Sequence, residues 1–188
     1  MKRAIIITAI LALVAGAGGG VWLKTQLDSQ TAAKAAQEQA QSKPEPEPSK
    51  YDVGPPDPAE MWELTNEERR KAGLPPMTLD PRLNASAQEK ANDMAVRDYY
   101  GHESPEGTQG YLLVYKHTQQ RCRGAGENLA KLFESGGTSR EAVDGWLTST
   151  KGHREAILSD RYDSIGFGLS KDKHGLYLVV QHFCAVKW

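Results

Sequence analysis

The sequence predicts an α+β domain preceded by an apolar segment and a linker, and three observations predict it. From Pro58 onward the apolar residues recur at helical spacing. After Asp160 the period changes to two, as in strands, and residues 24 to 57 carry too few large apolar side chains to bury a core. Helices first and an antiparallel hairpin last argue against a Rossmann unit. The expected organisation is 1–23 signal-anchor or signal peptide, 24–57 linker and 58–188 folded domain.

The N-terminal run AIIITAILALVAGAGGGVWL follows Lys2 and Arg3. As a helix of about 20 residues it spans roughly 30 Å, the thickness of a bilayer core. Ala15-Gly16-Ala17 has the small-x-small form of a signal-peptidase site, which would release a secreted protein. The apolar character resumes at Val21, Trp22 and Leu23, so the preferred reading is an uncleaved single-pass anchor. Either way Lys2 and Arg3 stay cytoplasmic, and everything after Lys24 lies outside the cytoplasm. The following TAAKAAQEQAQ is a candidate transient helix, and KPEPEPSK is an extended spacer because alternating prolines forbid helix and sheet.

Within the domain, PAEMWELTNEERRKAG places Met61 and Leu64 on one side of a helix and stops at Gly73. A second helix starts at Asp80-Pro81, with Asp as cap and Pro at the first position, and carries Leu83, Ala87, Ala91 and Met94 on one face. Thr138-Ser139-Arg140-Glu141 fits a capping box for a third helix through Val143, Trp146 and Leu147. Lys151-Gly152 breaks it before the helical turn HREAIL. SIGFGL (164–169) and LYLVVQHFCAV (176–186) then alternate as two strands around the turn KDKHG.

Lys plus Arg total 23 against 24 Asp plus Glu, a net charge of -1, which gives no field for nucleic acid. Cys122 and Cys184 are too far apart for a CxxC zinc or redox site. In an exported region they read as one disulfide, with two buried thiols the alternative.

Three stretches carry candidate chemistry. YYGHESPEG puts His102 in a turn that Gly and Pro alone would satisfy. GAGENLA departs from a nucleotide loop at Leu129, and its Glu127, a carboxylate in an otherwise weakly polar stretch, is either a site carboxylate or the cap of a helix over 127–132. His153 follows Gly152 at a helix start. Two imidazoles and a carboxylate suit zinc or another divalent metal with a position left for water, or a general acid/base set without metal. His117, His174 and His182 fall in a loop, a turn and a strand and read as structural. His153-Arg154-Glu155 lacks the C-x-x-C of zinc deaminases, and no HExxH occurs.

In order and spacing, Asn66-x-x-Arg69 with AGLPPMTLDPRL, AQEKANDMA, YYGHESPEG, GAGENLA, WLTSTKGHREAIL, YDSIGFGL and VVQHF resemble the CAP superfamily, or SCP domain, in its bacterial branch. The resemblance covers roughly residues 58 to 188. It implies a three-layer α-β-α sandwich with a central antiparallel sheet, and a cleft in which His102, Glu127 and His153 converge. The chain departs from the family pattern in three places. Ser149 stands where many eukaryotic members have a second Glu, TSTKGHR is a residue longer than the bacterial S-P-G-H-R form, and His182 stands where the branch often has Asp, which leaves His182 as an extra participant.

The resemblance leaves several functions open. The leading expectation is an extracytoplasmic module that binds an envelope lipid or glycan in a cleft of His102, Glu127, Ser149 and His153, with zinc or another divalent ion on His102, His153 and Glu127 and no organic cofactor. The second is a hydrolase of peptidoglycan or another envelope polymer with Glu127, His102 and His153 as catalytic groups. The third is a structural partner-docking module. The expected partners are the envelope ligand and, through residues 1–23, the membrane.

Overall fold

The computed structural model describes residues 26, 28–34, 54–133 and 137–186. The apolar run at 4–23 and the Pro-rich spacer at 43–50 lie outside the described residues. The chain divides into two compact units, Met1–Glu47 and Pro48–Trp188. In the first, residues 28–34 are helical and exposed. No helix among the described residues is long and apolar enough to cross a membrane.

The second unit starts with α1, Pro58–Lys71, whose cap Asp57 accepts from the Ala59 and Glu60 amides. The helix buries Met61 and Leu64, and with them two polar residues of one motif. Asn66 bonds both the N–H and the C=O of Met77, at 2.8 and 3.0 Å. Arg69 donates to the carbonyls of Pro75, Ile157 and Ser159 at 2.7 to 2.9 Å. These bonds satisfy backbone groups that the Pro75-Pro76 break removes from any ladder.

A two-residue strand, β1 (Thr78–Leu79), then pairs parallel with Ser164 and Ile165. It was not foreseen, being too short to show a period. In α2, Pro81–Val96, Asp80 is the N-cap as predicted. This helix lies so close to β3 (Ser164–Lys171) that a Cβ on Gly168 would stand 2.2 Å from the backbone of Ala87 and Gln88. The alternation of small residues in SIGFGL therefore admits a helix backbone. Beyond the reach of β1, Asn84 and Gln88 accept the Phe167 and Leu169 amides, at 2.8 and 3.1 Å.

Next come α3 (Leu112–His117), β2 (Gly124–Leu132), α4 (Ser139–Leu147), α5 (His153–Ile157) and β4 (Tyr177–Ala185). The α4 capping box is only half made: Thr138 accepts the Glu141 amide at 3.1 Å. His117 ends α3, where a loop was expected, and bonds Glu89 at 2.7 Å. The helix considered over 127–132 is a strand. Its glycines and its Glu hide the alternation that would mark a strand.

The sheet order is β1-β3-β4-β2, antiparallel except for β1. One face packs on α1, α4 and α5 through Met61, Leu64, Trp146, Ile157, Phe167 and Phe183. The other packs on α2 through Ala87, Ala91, Met94, Leu129, Leu178 and Val180. This is the α-β-α arrangement expected. Cys122 and Cys184 are joined as a disulfide, with Cα atoms 5.5 Å apart.

Candidate functional site

The register of β2 against β4 sets Glu127 opposite His182 and Asn128 opposite Gln181. Alternation turns the first pair to the α2 face, with Leu129 and Val180, and the second to the α4 face. β2 is the free edge of the sheet, so groups from both helical layers can reach around it.

Glu127 is held at both oxygens. Oε1 bonds His102 Nδ1 at 2.7 Å, and Oε2 bonds His182 Nε2 at 2.9 Å. Its side chain is 2 % exposed, that of His102 is 50 % exposed and that of His182 is 0 % exposed. The turn carrying His102 is closed by the Glu103–Gln109 bridge and by the Gly110 amide, which donates to the His102 carbonyl at 2.7 Å. Lys90 donates to the same carbonyl at 3.2 Å and to the Tyr99 hydroxyl at 3.1 Å. Gly110 roofs the carboxylate so tightly that a Cβ there would stand 2.2 Å from Oε2.

His153 arrives from the other layer. Gly152, with φ 91°, makes the left-handed step that starts α5. Asn128 donates to the His153 carbonyl at 3.1 Å and to Gln181 at 2.8 Å. The ring is fixed by Ser149, whose Oγ lies 2.9 Å from Nδ1. The His102 and His153 ring centroids are 6.3 Å apart and tilted by 42°.

The charge states follow from these contacts. Burial alone would raise the Glu127 carboxyl, but the hydrogen bonds from His102 and His182, and the charge of Lys90, hold it below the ordinary glutamate value. An ionised carboxylate only accepts, so His102 donates through Nδ1–H and His182 through Nε2–H. Burial pushes His153 down, and the neighbouring His102 adds to this. Burial also pushes His182 down, against the opposing pull of Glu127.

The structure thus brings together all four residues named for the cleft, as two pairs: Glu127 with His102, and Ser149 with His153. Among the described residues no three His, Cys, Asp or Glu side chains are gathered as a metal-holding group. The ring nitrogens outside these bonds are the Nε2 atoms of His102 and His153. A cavity of about 280 Å³ is lined in part by Lys90, Tyr99 and Gly110, and by none of the four cleft residues. A larger groove of about 590 Å³ runs past Leu79, Pro81 and Val186 and contains none of these side chains.

Ser86, whose Oγ lies 2.8 Å from His182 Nδ1, was missed from the sequence along with Lys90 and Gly110, and His182 was left with two readings. The alternation of VVQHFC put His182 on one face with Val180 and Cys184, but only the register with β2 shows that it meets Glu127.

A sheet between two helical layers, with paired imidazoles around a carboxylate at its edge, defines the class to which this molecule belongs. The chain is a member of the CAP, or cysteine-rich secretory protein, family, whose sequence profile matches residues 62–183. It is 39% identical over 106 residues to the Bacillus subtilis protein YkwD, a match covering 56% of this chain and 39% of the relative. The chain therefore spans well under half of that protein's length. Among solved structures, an outer surface protein of Borrelia burgdorferi superposes with a TM-score of 0.59 at 25% identity, covering 68% of this chain and 90% of the other. An extracellular SCP-domain protein of Bacillus anthracis gives a TM-score of 0.55 at 28% identity, covering 68% and 39%.

Proposed function

We propose that the protein is an extracytoplasmic binding module whose His102/Glu127/His153 site takes an envelope lipid or glycan with the help of a divalent ion. The observation that carries this reading is the fixing of both rings through Nδ1. Glu127 holds one and Ser149 the other. The carboxylate fixes His102 as the Nδ1–H donor, as in metal sites where an acceptor orients a ligating histidine, and when His153 likewise donates from Nδ1 to Ser149 both Nε2 lone pairs are left for a ligand. On this reading His102 and His153 hold the ion, and Glu127 orients His102 instead of coordinating. The residues fit a moderately held ion with several positions open, and that ion would supply Lewis-acid attraction for a hydroxyl, phosphate or carboxylate oxygen of the ligand. The expected extracytoplasmic location is supported by the surface and extracellular descriptions of the Borrelia and B. anthracis relatives. Anchoring through residues 4–23 is part of the proposal.

Calorimetry with zinc at pH 7.5 and 5.5 tests the site. Binding is expected at the higher pH and should weaken sharply at the lower, because protons compete with the ion for imidazole nitrogens, a group whose reference pKa is about 6.5. His102→Ala or His153→Ala should each nearly abolish it, and His117→Ala should change nothing. Equal binding at both pH values, or binding untouched by His102→Ala, rejects the site.

One observation favours a hydrolase as the second reading. A carboxylate-oriented imidazole with a free Nε2 is an arrangement suited to a general base. Glu127, held ionised, then acts as orienter and not as acid. Incubating the protein with purified peptidoglycan and envelope lipids, with and without zinc, followed by mass analysis, separates the two. Cleavage products lost in Glu127→Gln mean an enzyme, and intact retained ligand means a binder.

A further inference from the structure

The second grip on Glu127 plays no direct part in ligand capture, because His182 is wholly buried and cannot touch a ligand at the surface. Its ring is nevertheless engaged at both nitrogens, by Glu127 Oε2 at 2.9 Å and by Ser86 Oγ at 2.8 Å. The direction of each bond follows from the anion at the end of the string. Glu127 accepts from Nε2–H, so in the neutral ring Nδ1 is the acceptor and the Ser86 hydroxyl must donate to it. Ser86 Oγ also lies 3.0 Å from the Leu83 carbonyl, but one hydroxyl has one hydrogen. Donation to Leu83 would leave the Nδ1 lone pair facing those of Oγ with no proton between them. With the buried ring neutral, the string runs Ser86 to His182 to Glu127 from one side and His102 to Glu127 from the other.

We propose that His182 is a positioning residue for the site: by fixing Glu127 through Oε2, with Ser86 setting its tautomer, it keeps Oε1 aimed at His102 and so leaves His102 Nε2 free for the ligand. The proposal rests on the reading of His102 as a ligand-binding imidazole. A free glutamate has three rotatable bonds, and the Gly110 roof limits the carboxylate without bonding it. Without a donor at position 182, Oε2 would be a buried anionic oxygen lacking that bond, and the carboxylate would turn toward another donor such as Lys90. His102 would lose its acceptor, return to the Nε2–H tautomer that free imidazole prefers, and cover the lone pair a ligand needs.

The experiment is a set of ¹H–¹⁵N correlation spectra of the imidazole rings of the full chain in detergent micelles without metal, followed by zinc titration. It compares wild type with His182→Leu, His182→Gln and Ser86→Ala. Wild type is expected to hold His102 as the Nδ1–H tautomer. His182→Leu should shift it toward Nε2–H and weaken zinc binding about tenfold, the scale of outer-ligand substitutions. His182→Gln places an amide donor near the position of Nε2 and should restore both, which a merely space-filling role would not require. Ser86→Ala should move the same signals partway. If His182→Leu does not fold, Ser86→Ala decides, and an unmoved His102 tautomer there overturns the proposal. So does a folded His182→Leu protein with the wild-type tautomer and affinity, or a His182→Gln protein as impaired as His182→Leu. Because the tautomer is read without metal, failure of wild type to bind zinc would count against the binding-site reading alone.

Discussion

At the scale of single residues, the site depends on a glycine as much as on its charged groups. Gly110 covers Glu127 where any side chain would overlap Oε2 and crowd the Lys90 stem, with a Cβ only 2.7 Å from Lys90 Cε. Neither neighbour can move freely. The carboxylate is held at both oxygens, and Lys90 is tied to Tyr99 and the His102 carbonyl. Gly110→Ala is therefore expected to cost about 1–3 kcal/mol, the range for overpacking a filled interior. It should also displace His102, since the same residue's amide bonds the His102 carbonyl. Urea unfolding gives the first quantity and zinc affinity the second. A neutral effect on both would mean that the roof is looser than its geometry indicates.

At the scale of elements, one buried side chain of α1 ties the helix to two other segments. Arg69 serves three carbonyls from two separate segments, Pro75 on one and Ile157 and Ser159 on the other. Arg69→Ala strands those acceptors in the interior and is expected to lower stability by about 2–4 kcal/mol, seen as a fall in thermal midpoint. Since Ile157 ends the helix that His153 begins, the loosening should also reach the site as weaker zinc binding. α1, α2, α4 and the β3–β4 hairpin were legible because each carries a cap or a sustained period, such as Asp80-Pro81 or Ile165, Phe167 and Leu169. β1, α3 and β2 were not. Two residues show no period, six exposed-to-buried residues make a weak helix signal, and GAGEN lacks the large alternating side chains of a strand. For the site, the resemblance brought His102, Glu127, Ser149 and His153 together. The pairing of Glu127 with His182 depends on strand register, a long-range property that no local pattern contains.

At the scale of the whole molecule, the disulfide and the buried titratable groups both link stability to the surroundings. Cys122 and Cys184 are 62 residues apart, so their bond restricts the unfolded chain by about 4 kcal/mol in the chain-entropy account. Reduction should lower the urea midpoint, while an unchanged midpoint would show that the bond adds nothing. The pH dependence has a definite sign. His153 and His182 are pushed down by burial, so as pH falls below about 6.5 the unfolded chain takes up protons that the folded one refuses, and stability falls until the folded values are reached. Glu127 is also held low, against burial, by its imidazole partners. Its contribution is present above the unfolded value of about 4.3 and is lost as pH drops through the folded one. Lys131, bonded to Asp172 at 2.8 Å, and the amides of the β3–β4 turn hold that carboxyl at about 2, which extends the loss further into acid. All four groups act in the same direction, so stability should decline in two stages, one below neutrality and one below about pH 4. His182→Gln, which carries no titrating ring, should reduce the first stage and leave the second. Urea midpoints measured from pH 7.5 to 3.5 for wild type and this variant test the argument: a profile flat from 7.5 to 5, or one unchanged by the substitution, would show that His182 is not buried as a neutral ring.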